Sequence, residues 1–361
     1  HADRMRRAVL LGVPGTKRTV YLNHAAEQEG VPLAVLDWEG WQEHLPEGEL
    51  FLKIDPPRWD SSALGDLERL TEAYKKELDA LDRLTGERQA EYLNSPSAIA
   101  WLLDKRRCKE RLMEAGLPVT ELLGQDPAGP NGYLSEAAAH KSSACGRIRN
   151  MEELLEEMSR HRTFQVFIKP GCGSGGAGVC AFRVQPGTGR MMLYTCAADA
   201  PDGLWNTKRL RVCSGREQIR HILDQLLAMD CVVERWYARA MHGAYSCDFR
   251  AVVQGGRVDH LLARLSRGPI TNLQLNNHPL PAEETGLTFG QREMVEDLCE
   301  RAAGGFPGLW SVGIDILLEK GSLTPRIIEM NAQGDLIYQD IYGENIIYRR
   351  QAERMKRWLS V

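Results

Sequence analysis

Residues 167–179 constrain this chain more than any other stretch. Phe167-Ile168-Lys169-Pro170-Gly171-Cys172-Gly173-Ser174-Gly175-Gly176-Ala177-Gly178-Val179 reads as an apolar strand ending on a lysine, a loop made mostly of glycine, and the start of a second strand. Without a Cβ, glycine reaches positive φ and lets backbone N–H groups close on an anion, and Lys169 adds a point charge at the strand end. A bare hairpin connection has the same composition, so the loop alone leaves phosphate binding and a simple turn both open. Cys172 is read as a small loop residue rather than a nucleophile, since nothing beside it in sequence would lower its pKa.

The 361 residues suffice for two or three domains, each with its own core. Apolar residues at 43% and charged residues at 26% match an ordinary soluble globular protein. The formal charge of −4 argues against a nucleic-acid partner, whose footprint is a basic excess. No apolar run approaches the ~18 residues that span a bilayer, and no signal segment is evident, so no membrane partner and a cytoplasmic location are expected. The nine cysteines contain no C-x-x-C pair and the histidines no metal spacing, which suits reduced thiols.

In chain order, Arg7 to Leu11, Thr16 to Glu29 and Leu33 to Leu36 predict one βαβ unit. The turn Gly12-Val13-Pro14-Gly15 lacks the third glycine of a dinucleotide fingerprint. Phe51 to Ile54 predicts a strand stopped by Asp55-Pro56-Pro57, either a plain terminator or a rigid loop of the kind ligands meet at a strand's carboxyl end. Leucines and Tyr74 at spacings of three and four predict a covering helix within residues 61–90. A helix is expected from Ala98 to Ala115, with Gly116 as its C-cap. Residues 124–149 read as an irregular insertion, and Met151 to Arg160 as a helix started by Asn150. Strands are expected at 179–184, 191–196 and 231–234, a loop at 203–207, and a helix from Glu217 to Met229. Beyond these, Gly255-Gly256 joins a hairpin, and a second strand pair holds Asp315 and Glu329. The closing helix, 343–359, carries basic charges read as a solvated face.

Asp315, Glu329 and Asn331 lie in otherwise apolar strands, where an uncompensated carboxylate costs several kcal/mol. Glu329 and Asn331 share a strand face, and the hairpin places Asp315 beside them. Three hard oxygen donors on one face suit Mg²⁺. An internal ion pair with Arg326 or Lys320 is the alternative.

In this order the motifs resemble the ATP-grasp superfamily of carboxylate–amine ligases, in its RimK-like and glutathione-synthetase-like branch, from about Leu93 to Asp335. Asn94-Ser95-Pro96, Asp104-Lys105 and Gly116-Leu117-Pro118 resemble the family's first helix, which implies that Lys105 reaches ATP phosphates. Lys169 and Gly173, Ser174, Gly175 and Gly176 resemble its second lysine and phosphate lid. Val233-Glu234-Arg235-Trp236 resembles the strand that clasps adenine, with Glu234 taking the exocyclic amine. Asp248-Phe249-Arg250 resembles a D-x-R with Asp248 near ribose and Arg250 near phosphate, and Asp315, Glu329 and Asn331 match the metal-binding D…E-x-N. Asn272 falls among the expected nucleotide contacts.

The resemblance implies an α/β chain, α+β in its catalytic part, with the ATP-grasp fold behind an N-terminal Rossmann-like pre-ATP-grasp domain. The units expected are 1–93, 94–232 and 233–361. ATP and Mg²⁺, with Mn²⁺ as a substitute, are the implied cofactors. Small-molecule or peptide carboxylates and amines are the implied substrates, and a homodimer stays open. The arginine usual two positions before Asn272 is replaced by Ile270, so its phosphate contact is either missing or passed to Arg264 or Arg267. The stretch from Glu234 to Asp248 is longer than in that branch. Arg250, Arg264 and Arg267, with Lys169, are the expected catalytic cations. A kinase acting on a small-molecule hydroxyl and a non-catalytic nucleotide-binding protein are the alternative functions.

Overall fold

The computed structural model describes residues 5–124, 147–173, 177–271 and 278–361. Most of the 124–149 insertion, Ser174, Gly175, Gly176 and Asn272 lie outside the described residues.

The first sheet is parallel, in the order β2-β1-β3-β4, with β1 at Arg6–Gly12, β2 at Leu33–Asp37, β3 at Glu49–Ile54 and β4 at Glu91–Tyr92. Val9, Leu11, Leu50 and Leu52 pack with Tyr74, Leu78 and Leu81 of the helix Leu67–Gly86. On the opposite face, Ala8, Leu10 and Phe51 meet Leu22 of the helix Lys17–Gln28 and Ile347 and Tyr348 of the closing helix Ile346–Leu359. The runs are apolar on both faces because both faces are covered, as parallel sheets require. Not all of the closing helix's charge is solvated: Arg354 pairs with Glu91 at 3.0 Å, and Arg350 pairs with Asp259.

The single helix expected over 98–115 is two, Pro96–Leu102 and Lys105–Glu114. Asp104 interrupts it by taking an extended backbone and accepting a hydrogen bond from the Arg107 N–H at 3.1 Å, which makes it the N-cap of the second helix. The preceding link is equally well tied: the buried Asn94 side chain accepts from the Trp310 and Ser311 N–H groups and donates to the Ser311 and Ala332 carbonyls.

The second sheet is antiparallel in the order β8-β7-β6-β5-β9, with β5 at Gln165–Pro170, β6 at Cys180–Val184, β7 at Met191–Ala200, β8 at Gly203–Cys213 and β9 at Cys231–Arg235. Its apolar face packs under the helices Met151–Arg160 and Arg216–Ala228. The loop expected at 203–207 is instead the start of β8. This edge strand carries polar residues such as Asn206, Thr207 and Arg209 and shows no apolar alternation, yet it pairs with β7 along most of its length.

The third sheet is antiparallel, β13-β12-β11-β14-β15, with the short β10 at Met241–His242 paired to β11. These strands are β11 at Tyr245–Gln254, β12 at Arg257–Ser266, β13 at His278–Pro281, β14 at Ser311–Leu318 and β15 at Pro325–Asn331. The hairpin glycines 255 and 256 have φ of 59° and 82°, values that L side chains rarely adopt. The helix Phe289–Gly304 covers one face through Val295, Leu298 and Cys299. After β15 the chain folds back so closely that a Cβ on Gly334 would lie 2.7 Å from the Gly313 Cα. The eight described cysteines are all free thiols. Among the described residues no helix is long and apolar enough to cross a membrane.

Candidate nucleotide site

A cavity of about 370 Å³ lies between the second and third sheets and reaches the carboxyl end of β3 at Pro56. It gathers residues far apart in sequence, including Lys105, Lys169, Glu234, Arg250, Asp315 and Glu329. Seven of its lining side chains are Lys or Arg and four are Asp or Glu, so it presents an excess of positive charge.

Its floor is the third sheet. Register sets Arg250 opposite Asp315, Asp248 opposite Arg264, and Asp315 opposite Glu329. The buried Asp315 carboxylate receives Arg250 Nε at 2.5 Å and Arg264 Nη2 at 3.3 Å. Burial alone would raise its pKa, but the two guanidinium groups outweigh burial and hold it well below the usual carboxylate range. Of the alternative partners read from sequence, Arg326 pairs instead with Glu319 at 3.1 Å, and among the described residues Lys320 pairs with neither Asp315 nor Glu329. Asp248 is also buried and taken by cations, with Arg264 Nε at 2.9 Å and Nη2 at 3.0 Å, Arg239 Nη1 at 3.5 Å, and a hydrogen bond from Thr271 Oγ1. Burial pulls Arg264 down, and Asp248 and Asp315 more than reverse it, so its pKa is raised.

Glu329 differs from both aspartates: among the described residues no cation pairs with it, although it lines the cavity directly across from Asp315. Asn331 lies two residues on, and its Oδ1 accepts from the Gln333 N–H at 2.9 Å. No group of three His, Cys, Asp or Glu side chains among the described residues has metal-holding geometry. Even so, two carboxylates and an amide facing one cavity fit a hard divalent cation that takes its remaining ligands from phosphate and water.

The roof comes from the second sheet. Lys169, near the end of β5, is buried with its Nζ 2.6 Å from Glu234 Oε1 on the neighbouring β9. Lys109, from the helix Lys105–Glu114, pairs with the other oxygen and donates to Thr120 Oγ1 at 2.7 Å. Burial would push the Glu234 pKa up, but the two ammonium groups reverse this and bring it down to about 2. Burial lowers the Lys109 pKa despite that partner, whereas for Lys169 the acidic neighbours outweigh burial and raise it. Gly173, beyond Lys169, has φ of 93°.

Not every expected residue enters the cavity. Lys105, Arg235, Arg250 and Arg264 line it, with Arg235 Nε also 3.3 Å from Glu121. Arg267 is exposed over the Tyr245 ring, and Trp236 packs against Phe167 under the Arg183 guanidinium. Lys109, Arg239, Thr271 and Arg18 were not singled out from sequence. For Lys109 the available signal is its place one helical turn after Lys105; for Arg239 it is the long stretch between Glu234 and Asp248.

No protein-family model matches the chain, and no curated protein matches its sequence. Solved structures do match it along nearly its whole length. The ATP-grasp ligase PsnB, complexed with a minimal precursor, has a TM-score of 0.55 at 17% identity, covering 97% of this chain and 98% of that one. A RiPP-associated ATP-grasp ligase from Chryseobacterium gregarium, in complex with ADP and a leader and core peptide, gives 0.57 at 12% identity over 97% and 96%. D-cycloserine synthetase DcsG gives 0.55 at 14% identity over 96% and 99%. Identities this low speak for architecture alone, and by its architecture this chain has the ATP-grasp fold.

Proposed function

We propose that this protein is an ATP-dependent ligase that activates a carboxylate as an acyl phosphate and joins it to an amine, releasing ADP and phosphate. The observation that carries the reading is Glu329: a carboxylate with no cationic partner among the described residues, facing a cavity whose other acidic groups are all paired and whose lining is cationic in excess. Such a site lacks one cation and accepts polyanions. ATP with Mg²⁺ supplies both, and Mn²⁺ offers the same oxygen-loving chemistry.

Asp315, Glu329 and Asn331 would hold the metal, which when bound neutralises the phosphate charge. Lys105 and Lys169 line the cavity and would bind phosphate oxygens. Arg250, at the cavity wall, would orient the substrate carboxylate beside the γ-phosphate. A carboxylate oxygen attacks phosphorus, the bond to the bridging oxygen of ADP breaks, and the amine then displaces phosphate from the acyl carbon and gives up its proton. The first step needs alignment and charge neutralisation rather than a general base. This accords with a cavity whose aspartates are locked in ion pairs.

The structural neighbours carrying a precursor, or a leader and core peptide, bring peptides within the substrate class, and D-cycloserine synthetase brings small molecules within it. The test is ADP release across pools of carboxylates and amines, with mass spectrometry of the products. An amide with ADP and free phosphate is expected. A phosphorylated acceptor would move the protein to the kinases, and tight nucleotide binding without ADP from any pool would make it a sensor.

A further inference from the structure

Glu234 carries two ammonium groups of unequal standing. Lys109 is held twice, by the Glu234 carboxylate and by Thr120 Oγ1 at 2.7 Å, and it does not line the large cavity. Lys169 does line it, and meets Glu234 only at Oε1, 2.6 Å away, where the carboxylate oxygen accepts no well-directed hydrogen bond. One lysine is anchored behind the site, and the other is poised at its wall.

We propose that Lys109 is a positioning residue: it is the permanent counter-ion of Glu234, and so allows Lys169 to leave that carboxylate for a phosphate when ATP enters. The proposal rests on the cavity being the nucleotide site. Were Lys169 the sole partner, its departure would strand a buried, ionised carboxylate, and nucleotide binding would have to supply the cost. With Lys109 in place Glu234 stays paired on one oxygen, and Oε1 passes to an N–H donor of the base. The exchange moves one ammonium group and breaks no covalent bond. Lys109 thus acts through Lys169 and touches neither phosphate nor base.

The test is the affinity of mant-ATP with Mg²⁺ for the wild type, Lys109→Met, Glu234→Gln and the double variant Lys109→Met/Glu234→Gln, with folding read by far-UV circular dichroism. Lys109→Met should weaken binding tenfold or more, because Glu234 then retains Lys169. In the double variant the charge that Lys109 balances is gone, so it should bind within threefold of Glu234→Gln alone. A smaller loss in Lys109→Met, or a double variant outside that range, overturns the proposal. A merely structural lysine would weaken binding in both backgrounds. If Lys109→Met does not fold, the double variant decides by the same threefold limit. A wild-type protein that fails to bind mant-ATP refutes the nucleotide site itself, and this inference with it.

Discussion

Asp315 and Glu329 stand directly opposite each other on β14 and β15, yet Arg250 and Arg264 hold Asp315 while no cation among the described residues meets Glu329. Substitution should therefore separate their roles. Glu329→Gln removes a charge that forms no ion pair among the described residues and acts on Lys169, Lys109 and Arg264 only at a distance, so it should abolish ATP turnover with a change in unfolding free energy below about 1 kcal/mol. Asp315→Asn leaves two guanidinium groups facing a neutral amide in a buried site, and should cost about 3–5 kcal/mol as well as activity. Urea unfolding beside an ADP-release assay checks both. Full turnover in Glu329→Gln would remove that residue from the metal set.

Lys169→Ala should abolish turnover while the protein stays folded. Glu234 keeps Lys109 after the change, so no buried carboxylate is left bare, and the expected stability loss is about 1–2 kcal/mol. The measurement is thermal unfolding paired with single-turnover ADP formation. A variant with normal turnover would show that the cation at the end of β5 does not touch phosphate.

The ion-pairing difference between Asp315 and Glu329 could not be read from sequence, although the pair itself could. Carboxylates inside apolar strands announce themselves, and the hairpin turn sets their register. The β-bulge between Asp315 and Ile316 gives no such signal, and neither does the return of two arginines from β11 and β12. Lys109 was hidden for a related reason. Its helix also bears Lys105, Arg106, Arg107 and Arg111, and composition does not say which of five cations turns inward. Strand β8 escaped because an edge strand does not need apolar alternation. The order of the motifs survived these gaps because it follows the chain, whereas ion-pair partners follow the fold.

Gly313 and Gly334 form a backbone contact that leaves no room for a Cβ: on Gly313 it would lie 2.7 Å from the Gly334 Cα and 2.8 Å from its carbonyl oxygen. Gly313→Ala should lower stability by about 1–3 kcal/mol, the usual range for overpacking. It should also reduce turnover more than stability alone explains, because the displaced segment carries Asn331 and Gln333 at the cavity. Gln333 donates to Tyr74 Oη at 2.7 Å and to the Ile54 carbonyl at 3.2 Å, so the shift would reach the first sheet. Urea midpoints and steady-state turnover of the variant test this; wild-type values for both would show that the backbone has slack there.

Acid should unfold the protein through its buried carboxylates. Glu234 is held at about 2, and Asp315 and Asp335 are also depressed, the latter because Lys53 and Arg18 outweigh its burial. For each, the folded pKa lies below the unfolded value near 4, so the stability it contributes is complete above that value and is lost as pH falls toward the folded pKa. Urea midpoints should be flat from about pH 6 to 5 and fall steeply below about pH 4. Glu234→Gln removes one such group. It should lower stability at neutral pH, where two lysines lose their carboxylate, and make the acid limb shallower by that group's share. An acid limb as steep as the wild type's would mean that the fold does not hold Glu234 below its unfolded pKa, contrary to its place between Lys109 and Lys169.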